Sequence, residues 1–294
     1  MKLITETVFN SFLPNLQLEA KGEKTMFEKC KSALSSREMW LHTELLGTGV
    51  YNYLKQVLDE NDPIMADEDR ALIDFSRSVI FNAAMYEMLP VLNVVLTPNG
   101  LGIVSTSTIA PASSERVQEL RNQYRRTYNN AFVALFRSLC EFPGWSASQP
   151  CARFEKLLLT PVDIWLNDFL LPDQEKPYDI WELYSRYAPK VRQLEEALTE
   201  TLVGSRSIYD ALRTYQINLA NREETYETTQ VAIELAQLEM AILKQTPRAR
   251  WNENAVQKAL YNSTFKEAWL ETSAGKAYHF EKYANELNKS GYIW

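Results

Sequence analysis

Two histidines, three cysteines and a scatter of acid pairs are the residues of this 294-residue chain whose types could support chemistry. His42-Thr43-Glu44, with Pro150-Cys151 far downstream, has the outline of a zinc-deaminase site, in which one His and two Cys hold the metal and the Glu moves the proton. Cys151 is followed by Ala152-Arg153-Phe154, so the second cysteine of that ligand set is missing. His42 therefore reads as a helix-surface residue, and His279 lies far from it in sequence. Gly47-Thr48-Gly49 has Asn52 where a dinucleotide loop needs its third glycine, and no strand precedes it, so it reads as a helix cap and break. Phosphate loops, nucleophile elbows, His-Glu-x-x-His and EF-hand loops do not occur in the sequence. The pairs Glu195-Glu196 and Glu223-Glu224, and Asp67 with Asp69, read as solvated helix faces and first-turn residues. The expectation is a protein that is not an enzyme and that uses no cofactor and no metal.

The totals point the same way. A net charge of −7, divided as −3 over residues 1–150 and −4 over the remainder, argues against a broad nucleic-acid footprint and against attraction to an anionic membrane. An apolar share of 46% with only 9 glycines suits one large or two ordinary globular domains. Cys30, Cys140 and Cys151 form no disulfide framework, which suits a reducing compartment. No apolar run reaches membrane-spanning length, and the expected product is cytoplasmic with no cleaved leader.

The elements that would position any site are helical with one exception. Two β-branched runs, Val91 to Leu96 and Leu101 to Val104, flank Pro98-Asn99-Gly100, a turn sequence in which Pro fixes φ and Asn-Gly tolerates φ > 0. This predicts a β-hairpin over 91–104. A lone hairpin between two helices leaves its edges open and needs a support or a partner strand. Residues 1–24 carry no sustained period and contain Pro14, and they read as an extended arm laid on its own domain or on a neighbour. Helical spacing runs from Lys24 to about Glu60, broken at Gly47. It resumes from Asp67 to about Leu89 with a wide apolar stripe, and again from Ser113 or Ser114 to Glu141. On that last helix Val117, Leu120, Tyr124, Ala131, Leu135 and Leu139 are expected inward, with Gln118, Arg121, Arg125 and Asn129 opposite. The Arg121, Arg125 and Arg126 cluster is open to three readings: a solvated face, a salt-bridge surface between subunits, and nucleic-acid contact.

Residues 146–178 form a Pro-rich connector apolar enough to pack, with Trp145, Trp165 and Trp181 as packing residues. Beyond it, Thr199-Glu-Thr-Leu-Val-Gly204 echoes Thr43-Glu-Leu-Leu-Gly47, and Met240-Ala-Ile-Leu running to Pro247 echoes Ala83-Ala-Met-Tyr running to Pro90. The common offset of about 157 predicts an internal duplication. The fold class expected is mainly α, with two tandem related helical-bundle domains, the first (25–145) carrying a protruding β-hairpin and the second (179–294) a degenerate repeat without it. The tail from Phe265 to Leu287 reads as an aromatic helix interrupted by Gly275, and it ends on the apolar Tyr292-Ile293-Trp294.

The block Leu46-Gly-Thr-Gly-Val-Tyr-Asn-Tyr-Leu54, the helix ending Met88-Leu89-Pro90 and the Asn93-Val-Val-Leu96 hairpin with Asn99-Gly100 resemble the double-length head–tail connectors of tailed phages and prophages of gut bacteria. The Ser/Thr connector with its helix from Ser113, and Phe142-Pro-Gly-Trp-Ser146, belong to the same likeness. The resemblance implies a virion adaptor, made in the bacterial host cytoplasm, that forms a homo-oligomeric ring between portal protein and tail proteins, with DNA as non-specific channel contents. It implies interface residues in the hairpin and at the termini. Taken with the Arg face, the candidates are Val94, Leu96, Pro98, Asn99, Gly100, Leu101, Ile103, Arg121, Arg125, Tyr292, Ile293 and Trp294. Two alternatives stand beside this reading: a helical small-ligand protein or enzyme using carboxylates of the Pro-rich region, and a scaffold that binds a partner chain through the hairpin edge.

Overall fold

A computed structural model describes residues 3–13, 25–60, 65–92, 94–97, 100–103, 113–166, 179–217, 226–245 and 249–279. The protein is mainly α-helical and divides into two compact units, residues 1–150 and 151–294.

In the first unit, α1 (Glu6–Ser11) starts at Thr5, whose side chain accepts from the Val8 N–H. α2 (Met26–Leu41) opens with a full capping box between Thr25 and Glu28. It runs straight into one π-helical turn, His42–Leu46, which ends on Gly47 at φ +74° and ψ 163°. α3 (Gly47–Glu60) follows, then α4 (Asp67–Leu92) with Asp67, Glu68 and Asp69 in its first turn. The strands β1 (Val94–Thr97) and β2 (Gly100–Ile103) pair antiparallel, Val94 opposite Ile103 and Thr97 opposite Gly100. α5 (Ser114–Glu141) is capped by Ser113 and returns along α4, and a 3₁₀ turn at Pro143–Trp145 closes the unit. The core is built by Leu45, Leu46, Val50, Leu54, Leu72, Ile80, Phe81, Phe132, Leu135 and Leu139. Each contributes about 1.5–3 kcal/mol on burial.

The second unit contains the larger part of α6 (Gln149–Phe154), followed by α7 (Pro161–Leu166) and α8 (Ile180–Leu198). α8 passes into a π-helical turn, Thr199–Val203, ending on Gly204 at φ +68°. α9 (Arg206–Ile217), α10 (Tyr226–Leu243), α11 (Ala249–Tyr261) and α12 (Lys266–Leu270) complete it. Tyr209, Leu212, Val231, Leu235, Leu238, Val256, Leu260 and Trp269 form its core.

Several expectations are corrected. The first residues lie on their own unit and are not extended throughout: Leu3, Ile4 and Phe9 are buried, and Phe9 sits in the short helix α1. Phe9 meets Phe27 and Phe81 edge-on, so the segment is part of its unit's core. The connector 146–178 is not a separate piece, since its residues up to 150 belong to the first unit and 151–166 to the second. On α5 Ala131, Leu135 and Leu139 are buried as the periodicity suggests, but the inward face is wider than expected and stops short of the helix start. Tyr128, Phe132 and Phe136 set the stripe, and at their spacing Arg125 and Asn129 become buried while Leu120 is 39% exposed. Gly275 does not interrupt its helix but lies within the helical stretch 273–279. Pro98, Asn99, the Ser105–Thr108 connector, Tyr292, Ile293 and Trp294 lie outside the described residues.

Candidate functional site

A recurring set of side chains fixes each π-helical turn. In the first unit Glu38, four residues before the turn, accepts from the Leu3 N–H (2.9 Å) and from the Tyr51 hydroxyl (2.8 Å). Burial, reinforced by that carboxylate, holds the Tyr51 phenol up at about 12. Trp145, fully buried, donates its Nε1–H to the Leu45 carbonyl at 2.6 Å. Such a partner is needed because the π-turn frees carbonyls that a regular helix would pair. In the second unit Glu195, again four residues before the turn, accepts from the Leu158 N–H at 2.5 Å. Trp269 donates to the Leu202 carbonyl at 3.1 Å. The glycines pack alike: a Cβ on Gly47 would stand 3.0 Å from Ser148, and one on Gly204 would stand 2.4 Å from Thr272. Ser148 and Thr272 each lie three residues past the buried tryptophan, and each donates its N–H to that tryptophan's carbonyl.

The segments that feed the glutamates also match. Leu3-Ile4-Thr5 and Leu158-Leu159-Thr160 each bury two aliphatic residues, then cap a short helix with the threonine. Asp163 completes the second cap, taking both the N–H and the hydroxyl of Thr160. This carboxylate of the Pro-rich region is thus committed to a cap.

Where the units differ, a candidate site emerges. α4 and α5 are 26 and 28 residues long, against 18 and 13 for α10 and α11. On the first pair, burial ends at Met85 and begins again at Arg125. Residues 86–92 and 113–124 therefore form an arm, and β1 and β2 lie between its two helices in the chain. Val91 is 59% exposed on this arm and Leu120 is exposed as well. Arg121 ties the arm together, donating from Nε to the Tyr86 carbonyl (3.3 Å) with its guanidinium 4.3 Å from the Tyr86 ring centre. Glu87 pairs with Arg37 of α2. At the base of the arm a cleft of about 620 Å³ is lined by Phe12, Met26, Phe81, Leu120, Tyr124 and the more polar Asn82 and Gln123.

Of the sequence-proposed interface residues, Val94, Leu96, Gly100, Leu101 and Ile103 fall on the paired strands. Arg121 is engaged with Tyr86, and Arg125 is only 8% exposed, which removes it from any outer face. His42 stacks on Tyr51, ring centres 4.3 Å apart, and its Nε2 lies 3.4 Å from the Thr48 hydroxyl. Cys151 is buried, and its thiol is pushed up to about 12 by burial and then by Glu155, the opposite of an activated nucleophile. Among the described residues no group of three His, Cys, Asp or Glu is placed to hold a metal ion, and no helix is long and apolar enough to cross a membrane. Sequence reading missed Glu38 and the two threonine caps, and it took Glu195, which is fully buried, for part of a solvated face. The available signal was the pair of Leu-Ile-Thr and Leu-Leu-Thr segments, each followed 33 to 35 residues beyond its threonine by a glutamate four residues ahead of a turn.

The model of a family of unknown function, DUF6712, matches residues 42–155, from the first π-turn through the arm to α6. No curated protein and no solved structure matches the chain.

Proposed function

We propose that the chain is a tandem of two copies of one helical domain and serves as a head–tail connector of a tailed-phage particle. It assembles as a ring between portal and tail, with the arm of the first copy as its intermolecular contact. The observation that carries this reading is the arm itself. Both units build the same glutamate, π-turn, glycine and tryptophan arrangement, and the second does so without an arm, so the arm is not needed to fold the domain. A two-stranded hairpin is marginal in water by itself. Exposed Val91 and Leu120, and a sheet that has only two strands among the described residues, suit a surface that another chain covers. The resemblance in the hairpin and in Phe142-Pro-Gly-Trp-Ser146 supplies the class of partner, a portal or tail ring, and the acidic balance suits the wall of a DNA conduit. The ligand-binding alternative is less well supported, because Asp163 is spent on a cap and the cleft lies in the first unit.

The test mixes purified protein with portal rings and follows co-migration and electron microscopy. A ring of added density on wild-type mixtures is expected. A variant whose residues 89–119 are replaced by the short 244–248 connection should stay folded and add none. Absence of co-migration and of added density with the wild-type chain overturns the connector reading.

A further inference from the structure

Glu239 of α10 has no exposed surface. One of its carboxyl oxygens, Oε1, accepts from the Tyr209 hydroxyl, and the other, Oε2, meets no hydrogen-bonding partner. The charged and titratable groups that act on it come from three helices: Glu195 on α8, Tyr209 and Arg213 on α9, and Asp163 on α7. The one cation in that set is already committed. Arg213 holds Glu195 Oε2 through Nε (3.1 Å) and a terminal nitrogen (2.5 Å), and its other terminal nitrogen holds Asp210 at 2.7 Å. Ionised, Glu239 would be a second buried anion beside Glu195, with only the already shared Arg213 to offset it, which costs several kcal/mol. Burial first, then repulsion from Glu195, push its carboxyl well above the usual carboxylate range.

We propose that the second unit folds around Glu239 as the neutral acid, so that this unit carries one proton that its unfolded chain releases, and it loosens as the proton is lost. The tandem reading supplies an internal comparison. At the offset of 157 the partner of Glu239 is Asn82, which is buried, neutral and satisfied, its Nδ2 donating to the Ser78 carbonyl (2.7 Å) and hydroxyl (3.1 Å). The proton site itself stands on the second unit's geometry alone. A folded acid that keeps its proton above the unfolded value of about 4.3 confers stability that is complete below that value. That stability falls as pH rises, about tenfold in the opening equilibrium per pH unit, until the folded acid itself ionises.

Amide hydrogen exchange on the full chain between about pH 5 and about pH 8, corrected for the intrinsic rate, reads this directly. Peptides of α10 and α9 should lose about tenfold in protection per pH unit, while α4 peptides stay level and Glu239→Gln flattens α10. A level α10 in the wild type, an equal slope in α4, or a slope that survives Glu239→Gln overturns the proposal. Should that variant fail to fold, the wild type answers by itself. Unfolding it in guanidinium chloride at neutral pH in weak buffer should release about one proton per chain, and release of none overturns the proposal.

Discussion

Glu195 and Glu38 occupy the same place before their π-turns, yet they face different electrostatic problems. Glu38 is neighboured by a neutral phenol and a backbone N–H, and two ordinary hydrogen bonds suffice. Glu195 is fully buried and is matched by the Arg213 guanidinium. Burial raises its carboxyl, and Arg213 pulls it back towards the ionised form. Breaking such a pair from one side is the costly change: Glu195→Ala should destabilise the second unit by about 3–5 kcal/mol, whereas Glu195→Gln with Arg213→Met should fall close to wild type. Urea titration followed by Trp269 fluorescence would separate the two. Equal losses would mean that packing rather than the stranded charge sets the cost. Tyr51 offers a second check through pH. Its phenol is raised from 10.0 to about 12, so the folded state keeps the proton longer than the unfolded one. The stability it adds is complete below about pH 10 and is lost as pH rises through about 12. In a spectrophotometric titration the Tyr51→Phe variant should lack one late-ionising phenol.

At the scale of elements, the π-turn and its glycine form a joint between two helices that a regular α-helix could not make. The positive φ is open to Gly at no steric cost, while an L-residue there pays roughly 1–3 kcal/mol. Gly47→Ala should cost about that much, because Ser148 stands at the edge of contact. Gly204→Ala should cost more, since the new Cβ would overlap the Thr272 side chain at 2.4 Å. Thermal melts of the two variants test the order, and a Gly204 variant as stable as the Gly47 one would show that Thr272 swings away freely. The tryptophans complete the joint. Trp145→Phe keeps most of the ring and leaves the Leu45 carbonyl unpaired, an expected loss of about 1–3 kcal/mol, read as a lower denaturation midpoint of the first unit.

At the scale of the whole molecule, two units with separate cores should respond separately to core substitutions, and the arm should be dispensable for both. Replacing residues 89–119 by the 244–248 connection should leave both unfolding transitions in place while removing any assembly. Loss of the first transition would instead make the arm part of the fold. Much of this plan is legible in the chain. Helix positions, the buried α4, Gly47 as a break and the packing role of Trp145 follow from periodicity and turn chemistry, which are local properties. What sequence alone misplaces depends on partners distant along the chain. Arg125 reads as a surface charge until the Tyr128, Phe132 and Phe136 stripe turns it inward. Leu3 and Ile4 read as an extended arm until Glu38 and Arg77 take the Leu3 backbone groups. Glu195 reads as half of a solvated acid pair until Arg213 and the Leu158 N–H converge on it. Local pattern specifies elements because each residue's neighbours at three and four positions are given by the chain itself. Which buried polar groups meet, and whether a carboxyl keeps its proton, is decided by contacts that exist only once the helices have packed.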